Sequence, residues 1–267
     1  MVANLRSEVQ RTVPAYARLP MPQLRLITHH DQDPALDTAI STALLRQVAS
    51  GDIGPTLRIF TPDRIVAFGS QDRTRPGYPA AIAAVGELGY AGIERLAGGR
   101  AAVFHEGTVA FAWSTPESEP KTGIEQRYEA LTSIIIDALG RLGVVGSVGE
   151  LPGEYCPGRY SVHANGRKVM GVGQRLIKAA AHVGGVLVVH SPELVNLPLI
   201  PAYQALGYEW DPAATGSIGH TTSIEQATHA LLDAFEATGH SLVPSEIDPE
   251  TIALAEVLSD RHRTQIL

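Results

Sequence analysis

The apolar positions of this chain follow two rhythms, one of period two and one near 3.6, and the two alternate along its length. Residues 24–29 (LRLITH) alternate and predict a first strand. Asp33-Pro34 predicts an N-cap with proline at the first helical position. Ala35, Ala39, Leu44, Leu45 and Val48 give that helix a broad apolar side, and Gly51 ends it. Residues 56–60 and 64–69 predict two strands joined as a hairpin through Thr61-Pro62-Asp63. Residues 80–88 predict an alanine-rich helix. Residues 101–104 and 108–113 are strand-like, with Gly98 and Gly99 opening the first and Glu106-Gly107 as the turn between them.

Thr122 and Glu125 have capping-box spacing for a helix to about residue 142, and Thr222 and Glu225 repeat it for a helix through 237. Between them, 144–148 and 186–189 predict strands, while 196–208, with Pro198 and Pro201, predicts an irregular segment. Asp248-Pro249 predicts a last helix to about 261. Asn165-Gly166 is a two-residue hairpin signal. It places His163 opposite Lys168 and Val162 opposite Val169, so that Lys168, Met170 and Val172 share a face with His163 and Ser161. Strand-turn-strand units outnumber clean crossovers. The pattern predicts one α+β domain over residues 23–267, with a mixed, mainly antiparallel sheet flanked by helices, after an N-terminal extension at 1–22.

Composition narrows the function classes. No apolar run approaches the roughly 20 residues of a membrane span, and residues 1–20 show no secretory h-region. A single cysteine cannot close an intrachain disulfide, and a reducing, cytoplasmic setting is expected. A formal charge of −7 argues against a nucleic-acid protein. Ten histidines are present, but no metal-binding spacing, so no metal is expected.

Against this acidic background, residues 155–192 contain no Asp or Glu, yet hold Arg159, Arg167, Lys168, Arg175 and Lys178. The sole cysteine, Cys156, sits at the start of that stretch. A free cysteine is usually a small buried hydrophobe, but Glu154, Tyr155, Pro157, Gly158 and Arg159 are poor core company. Pro157 disfavours helix at Cys156 and pushes it toward extended backbone, on a loop, where functional groups concentrate. A reactive thiol must ionise, and nearby cations favour that. Lys168 is the natural partner, although the hairpin leaves its distance to Cys156 open; a solvated edge lysine fits the same position. Gly98-Gly99 and the in-strand Gly171 and Gly173 suit close approach of a ligand to backbone. His105 and His182 are either polar groups of the same pocket or ordinary hydrogen-bonded histidines.

Two strings then stand out: Arg95-Leu96-Ala97-Gly98-Gly99-Arg100-Ala101-Ala102-Val103-Phe104-His105-Glu106, and Lys168-Val169-Met170-Gly171-Val172-Gly173-Gln174-Arg175. With the Glu-Tyr-Cys-Pro-Gly run at 154–158, they resemble the biotin/lipoate protein ligase family, in its cysteine-dependent octanoyl- and lipoyl-transferring branch. The resemblance implies that family's catalytic-domain fold and an acyl-Cys156 intermediate. Lys168 would favour the thiolate, hold the acyl carbonyl and help move protons. The donor would be an octanoylated acyl carrier protein or H protein, and the acceptor a lipoyl-domain lysine. It implies substrate contacts from Arg95, Gly98, Gly99, Arg100, His105, Met170, Gly171, Gly173 and Gln174. Val103, Val169, Met170 and Val172 would line an apolar tunnel. Arg159, Arg167, Arg175 and Lys178 would steer acidic partner domains. Arg100 replaces a third glycine of the ATP-dependent ligases, and the chain ends too soon for their accessory domain. Both departures favour transfer without a cofactor; ATP and magnesium belong to the ligase alternative. A non-catalytic lipoyl-domain binder and a Cys-His hydrolase using His163 or His182 are the other readings.

Overall fold

The computed structural model describes residues 23–264, so the extension expected at 1–22 lies outside the described residues. The chain runs β1 (Gln23–Ile27), α1 (Pro34–Ser50), β2 (Thr56–Phe60), β3 (Ile65–Phe68), α2 (Tyr78–Glu87), β4 (Ala91–Glu94), β5 (Ala102–Phe104), β6 (Thr108–Pro116), α3 (Ile124–Arg141) and β7 (Gly146–Val148). It continues through β8 (Val162–Ala164), β9 (Arg167–Ile177), β10 (Ala180–Val188), α4 (Glu193–Leu206), α5 (Ile224–Ala237), β11 (Ser241–Pro244) and α6 (Pro249–Ser259). Eight strands form one sheet in the order β11-β1-β2-β6-β10-β9-β8-β7, and three form a second, β4-β3-β5. From β2 to β7 the large sheet is antiparallel throughout; β1 pairs in parallel with both its neighbours. The architecture is the mixed, mainly antiparallel α+β arrangement the hydrophobic pattern predicts.

Local chemistry explains the element ends. Asp33 caps α1 by accepting from Ala35 N, and Gly51 closes it in the left-handed conformation at φ 81°. Asp248 caps α6 through Thr251 N. Leu131, Ile135 and Leu139 of α3 and Leu231 and Phe235 of α5 are buried in one core with Leu57, Val109, Phe111, Val183 and Leu187 of the large sheet. A separate core joins α2 and α4 to the small sheet. The two sheets therefore face each other across a space that neither helix pair fills.

Several expectations are corrected. Residues 56–60 and 64–69 do not form a hairpin: β2 joins the large sheet and β3 the small one, as do β6 and β5 respectively. The turns between them carry the chain from one layer to the other. The box at Thr122 and Glu125 is absent; Gly123 is the N-cap without a side-chain bond, and Thr122 Oγ1 donates to Glu119 O at 2.8 Å. The second box sits one residue later than expected, at Ser223 and Gln226. The proline-rich stretch is the helix α4, with Pro198 and Pro201 inside it. Val195, Leu199, Ala202, Tyr203 and Leu206 repeat at helical spacing and are all buried, and that packing outweighs the hydrogen bonds the prolines remove.

Where α1 begins, His30 bridges two carboxylates, with Nδ1 3.1 Å from Asp37 Oδ1 and Nε2 3.0 Å from Asp63 Oδ2. The Asp37 hydrogen bond, with help from Asp63, raises its pKa against the opposing effect of burial. A histidine whose folded value is raised contributes stability that is complete below its unfolded pKa of about 6.5 and lost as pH rises through the folded value. His30→Gln is therefore expected to lower Tm more at pH 6 than at pH 9, as thermal melts at the two pH values would show; an equal loss at both would contradict the bridge.

Candidate active site

The space between the sheets is a cavity of about 550 Å³. Its floor is the large sheet, with Arg58 and Phe60 from β2, Ala110 and Ala112 from β6, and Gly184 and Val186 from β10. Ile65, Ala67, Ile93 and Phe104 of the small sheet roof it. The small side chains on the floor are what leave it open. At the β2 side the wall is charged but closed. Arg58 and Asp37 are 1% and 3% exposed and ion-paired. Arg58 also donates to Asp37 O at 2.8 Å, Ser41 Oγ at 3.1 Å and His29 O at 2.9 and 3.1 Å. Its donors are thus occupied within the protein, and its guanidinium lies 4.1 Å over the Phe60 ring.

Cys156 lies at the other side, on the loop between β7 and β8. Its backbone is not extended as the following proline predicts: φ is +41°, the left-handed region. Three contacts hold it there. Its N–H donates to Tyr203 Oη at 3.0 Å, and Tyr203 in turn donates to Ala101 O at 2.9 Å. Its carbonyl accepts from Lys168 Nζ at 2.9 Å. Sγ accepts from Arg100 N at 3.3 Å and lies 3.6 Å from Arg95 Nη2. The Arg95 guanidinium is itself tied to Gly98 O. Gly99, at φ +105°, makes this possible: a Cβ there would overlap Arg95 Nη2 and come within 3.1 Å of Sγ. The thiol thus faces a cation and a backbone N–H. No histidine hydrogen-bonds it among the described residues.

Lys168 is 1% exposed, not a solvated edge charge. Its ammonium binds Glu154 Oε1 at 3.1 Å, Tyr155 O at 2.9 Å and Cys156 O at 2.9 Å, and does not hydrogen-bond Sγ. Burial pulls its pKa down, against the opposing charges of Cys156 and Glu154. The group expected to sit beside the sulfur instead grips the backbone carrying it.

A bulge explains the remaining differences along β9. His163 faces Lys168 as the hairpin predicts, but Val162 pairs with Met170, not Val169, so β9 carries an extra residue there. The side-chain alternation shifts accordingly. Lys168, Gly171 and Gly173 reach the cavity, whereas Met170 joins Val169 and Val162 in the core beneath α3. Met170 is therefore no cavity contact, and of the four tunnel residues only Val172 lines it; Val103 belongs to the core under α2 and α4. A Cβ at Gly173 would come within 2.8 Å of Ala97 Cβ.

Other expected site residues are placed as follows. Arg95, Gly98 and Gly99 line the cavity, while Arg100 lays its guanidinium 4.4 Å over Tyr208. Gln174 lines it too, but its amide is engaged by Arg127 Nε at 3.0 Å and Ile124 O at 2.7 Å. His105 lies outside it, buried, with Nδ1 accepting from Gly107 N at 3.0 Å, and burial pushes its pKa down to about 4. His182 lines the floor and is likewise pushed down to about 4 by burial. Arg159 pairs with Glu125 at 3.1 Å, and Arg167, Arg175 and Lys178 are exposed. No group of His, Cys, Asp or Glu among the described residues is arranged to hold a metal, and no helix among them is long and apolar enough to cross a membrane.

Sequence reasoning missed Glu154, Tyr203 and the stacked pair Tyr128–Tyr160, whose ring centroids are 4.6 Å apart beside the cavity. Tyr203 was legible in principle, falling four and eight positions after Leu199 and Val195. Glu154 carried a signal of another kind: it is the carboxylate bordering the acid-free stretch.

The family described as the lipoyl protein ligase A/B catalytic domain matches residues 33–202. The octanoyl-[GcvH]:protein N-octanoyltransferase of Anoxybacillus flavithermus is 28% identical over 243 residues, which span 84% of this chain and 88% of that protein. The lipoyl-[GcvH]:protein N-lipoyltransferase of Listeria monocytogenes is 28% identical over 180 residues, spanning 66% and 65%. A crystal structure of lipoate-protein ligase A bound with ATP superposes with a TM-score of 0.72 at 19% identity, covering 90% of this chain and 95% of that one; at that identity the likeness is one of fold.

Proposed function

The chain belongs to the lipoyl protein ligase A/B catalytic-domain family, and from that premise we propose that it is an octanoyltransferase acting in protein lipoylation through an acyl-Cys156 intermediate. The carrying observation is the placement of Cys156 Sγ at the wall of a largely apolar cavity, 3.3 Å from the Arg100 N–H and 3.6 Å from the Arg95 guanidinium. The relatives' names contain octanoyl-[GcvH] or lipoyl-[GcvH], and we assign the same chemistry here, with an octanoylated H protein as donor and a lipoyl-domain lysine as acceptor.

In the first step the thiolate attacks the acyl carbonyl carbon. The carbon–sulfur bond forms, the bond to the donor breaks, and the leaving group takes up the proton the thiol gave to solvent. In the second, the acceptor amine attacks the thioester, the carbon–sulfur bond breaks, the thiolate returns and the surplus amine proton leaves to water. Splitting one acyl transfer into two is what a covalent nucleophile contributes. Arg95 and the Arg100 N–H stabilise charge on sulfur at both ends of the cycle, and the apolar walls accept the alkyl chain while excluding water. An acyl group already bonded to its donor needs no nucleotide to activate it. Exposed Arg167, Arg175 and Lys178 are suited to steering acidic lipoyl domains.

The test is intact mass after mixing the protein with an octanoylated H protein in the absence of nucleotide. A gain of one octanoyl group on Cys156, discharged by added unmodified lipoyl domain, is the expected result. An adduct only with octanoyl-carrier protein would reassign the donor. Modification that requires free octanoate, ATP and magnesium would replace transfer by ligation, and release of free octanoate would replace it by hydrolysis.

A further inference from the structure

Glu154 lies two residues before Cys156 on the loop between β7 and β8, and its carboxylate is fully buried. It accepts four hydrogen bonds. Ser161 Oγ at 2.6 Å, Gly158 N at 3.0 Å and Lys168 Nζ at 3.1 Å reach Oε1, and Leu151 N at 3.2 Å reaches Oε2. Loop residues on both sides of Cys156, including the one next to β8, and the neighbouring strand β9 thus converge on one side chain. Lys168 has three N–H donors. One goes to Glu154, and the others go to the carbonyls of Tyr155 and Cys156. A ring is closed from the carboxylate through the ammonium to the Cys156 carbonyl and back along the chain. Inside that ring Cys156 holds φ +41°, a conformation side chains other than glycine adopt only when their surroundings impose it.

We propose that Glu154 is a positioning residue of the acyl transfer, anchoring Lys168 and the loop so that Cys156 keeps the left-handed backbone that presents Sγ to Arg95 and the Arg100 N–H. This rests on Cys156 being the nucleophile. Lys168 then acts on the backbone that carries the sulfur, with its donors spent there instead of on the thiol.

The variants are Glu154→Gln, which keeps the shape and an acceptor oxygen but removes the charge, and Glu154→Gln/Lys168→Met, which removes both charges. Single-turnover acylation by octanoylated H protein, donor KM, Tm and the pH profile of Cys156 alkylation by iodoacetamide are measured on each. Displacement of a reacting atom by about 1 Å costs up to roughly 100-fold in rate. Glu154→Gln is accordingly expected to slow acylation at least about tenfold on that scale, with donor KM little changed. Its Tm is expected to fall, because a buried charge loses its partner. The double variant is expected to regain Tm without regaining rate, since nothing then holds the Cys156 carbonyl. The alkylation midpoint is expected to move up in Glu154→Gln as Sγ leaves Arg95 and the Arg100 N–H, whereas removing a nearby negative charge by itself would move it down. A single variant with wild-type acylation, or a double variant that recovers rate together with Tm, would overturn the proposal. Were the wild type itself to form no adduct, the acyl-Cys156 reading would fall, and an unmoved or lowered alkylation midpoint would still tell against Glu154.

Discussion

Cys156→Ala is expected to abolish acyl transfer, lowering kcat/KM by at least about 10³-fold, the scale on which losing a covalent nucleophile registers. The variant removes the sulfur and with it the contacts to Arg100 N and Arg95, but the backbone ties of the loop remain: Tyr203 binds the Cys156 N–H, Lys168 its carbonyl, and Glu154 the flanking backbone. The fold should therefore survive, with Tm close to wild type, so that lost activity reports on chemistry. Cys156→Ser is a sharper probe. It restores a nucleophilic atom at the same position, but a hydroxyl is a far weaker acid than a thiol, and one guanidinium with a single N–H cannot ionise it. Serine is expected to be nearly as inactive as alanine. The measurement is transfer of octanoyl between an octanoylated and an unmodified lipoyl domain, read by mass. Retention of a tenth of wild-type activity in Cys156→Ala would remove Cys156 from the reaction.

The fold was legible wherever a local signal and the tertiary structure agree. Asp33-Pro34 and Asp248-Pro249 cap helices because their side chains need only the next turn of backbone to bond to. The failures share another cause. The segments joining β2 to β3 and β5 to β6 have hairpin composition, yet they carry the chain between sheets, a choice made by which apolar face each strand buries. Alternation reports that a strand has a buried face; it is silent on which layer provides the cover. The helix α4 shows the converse, since two prolines spoke locally against a helix that its buried stripe required.

The site divides along the same line. Cys156, Lys168 and the glycines were visible because residue type and spacing speak for themselves. Their relations were not. The bulge opposite Val162 and His163 adds one residue to β9 and exchanges the faces of Met170 and Gly171, a shift that no count along a regular hairpin anticipates. The acid-free stretch predicts cationic surroundings for the thiol, but Glu154, at its very border, folds back and takes the ammonium of Lys168. What remains beside the sulfur comes from the other motif, Arg95 and the Arg100 N–H, 61 and 56 residues earlier in the chain. The two strings that carry the family resemblance are therefore two halves of one thiol environment, each holding Cys156 by different atoms.

Gly99→Ala tests that junction directly. Gly99 has φ +105°, where a Cβ is strained by about 1–2 kcal/mol. Space is the harder limit: the new methyl would occupy the position of Arg95 Nη2 and crowd Sγ at 3.1 Å. Arg95 must then swing away from both Gly98 O and the thiol, and the Arg100 N–H, next in the chain, moves with the rearranged backbone. Losing one preorganised charge-stabilising donor costs about 10²–10³-fold in rate, and Gly99→Ala is expected to fall in that range, with Tm lowered by a few degrees, the scale of a 1–2 kcal/mol strain. Gly98→Ala is the internal comparison, because a Cβ there meets nothing within 4 Å; its loss is expected to stay within a few-fold. Single-turnover acylation of the two variants decides the matter. Equal rates would mean that the Arg95 contact seen at Sγ is not what the thiol uses.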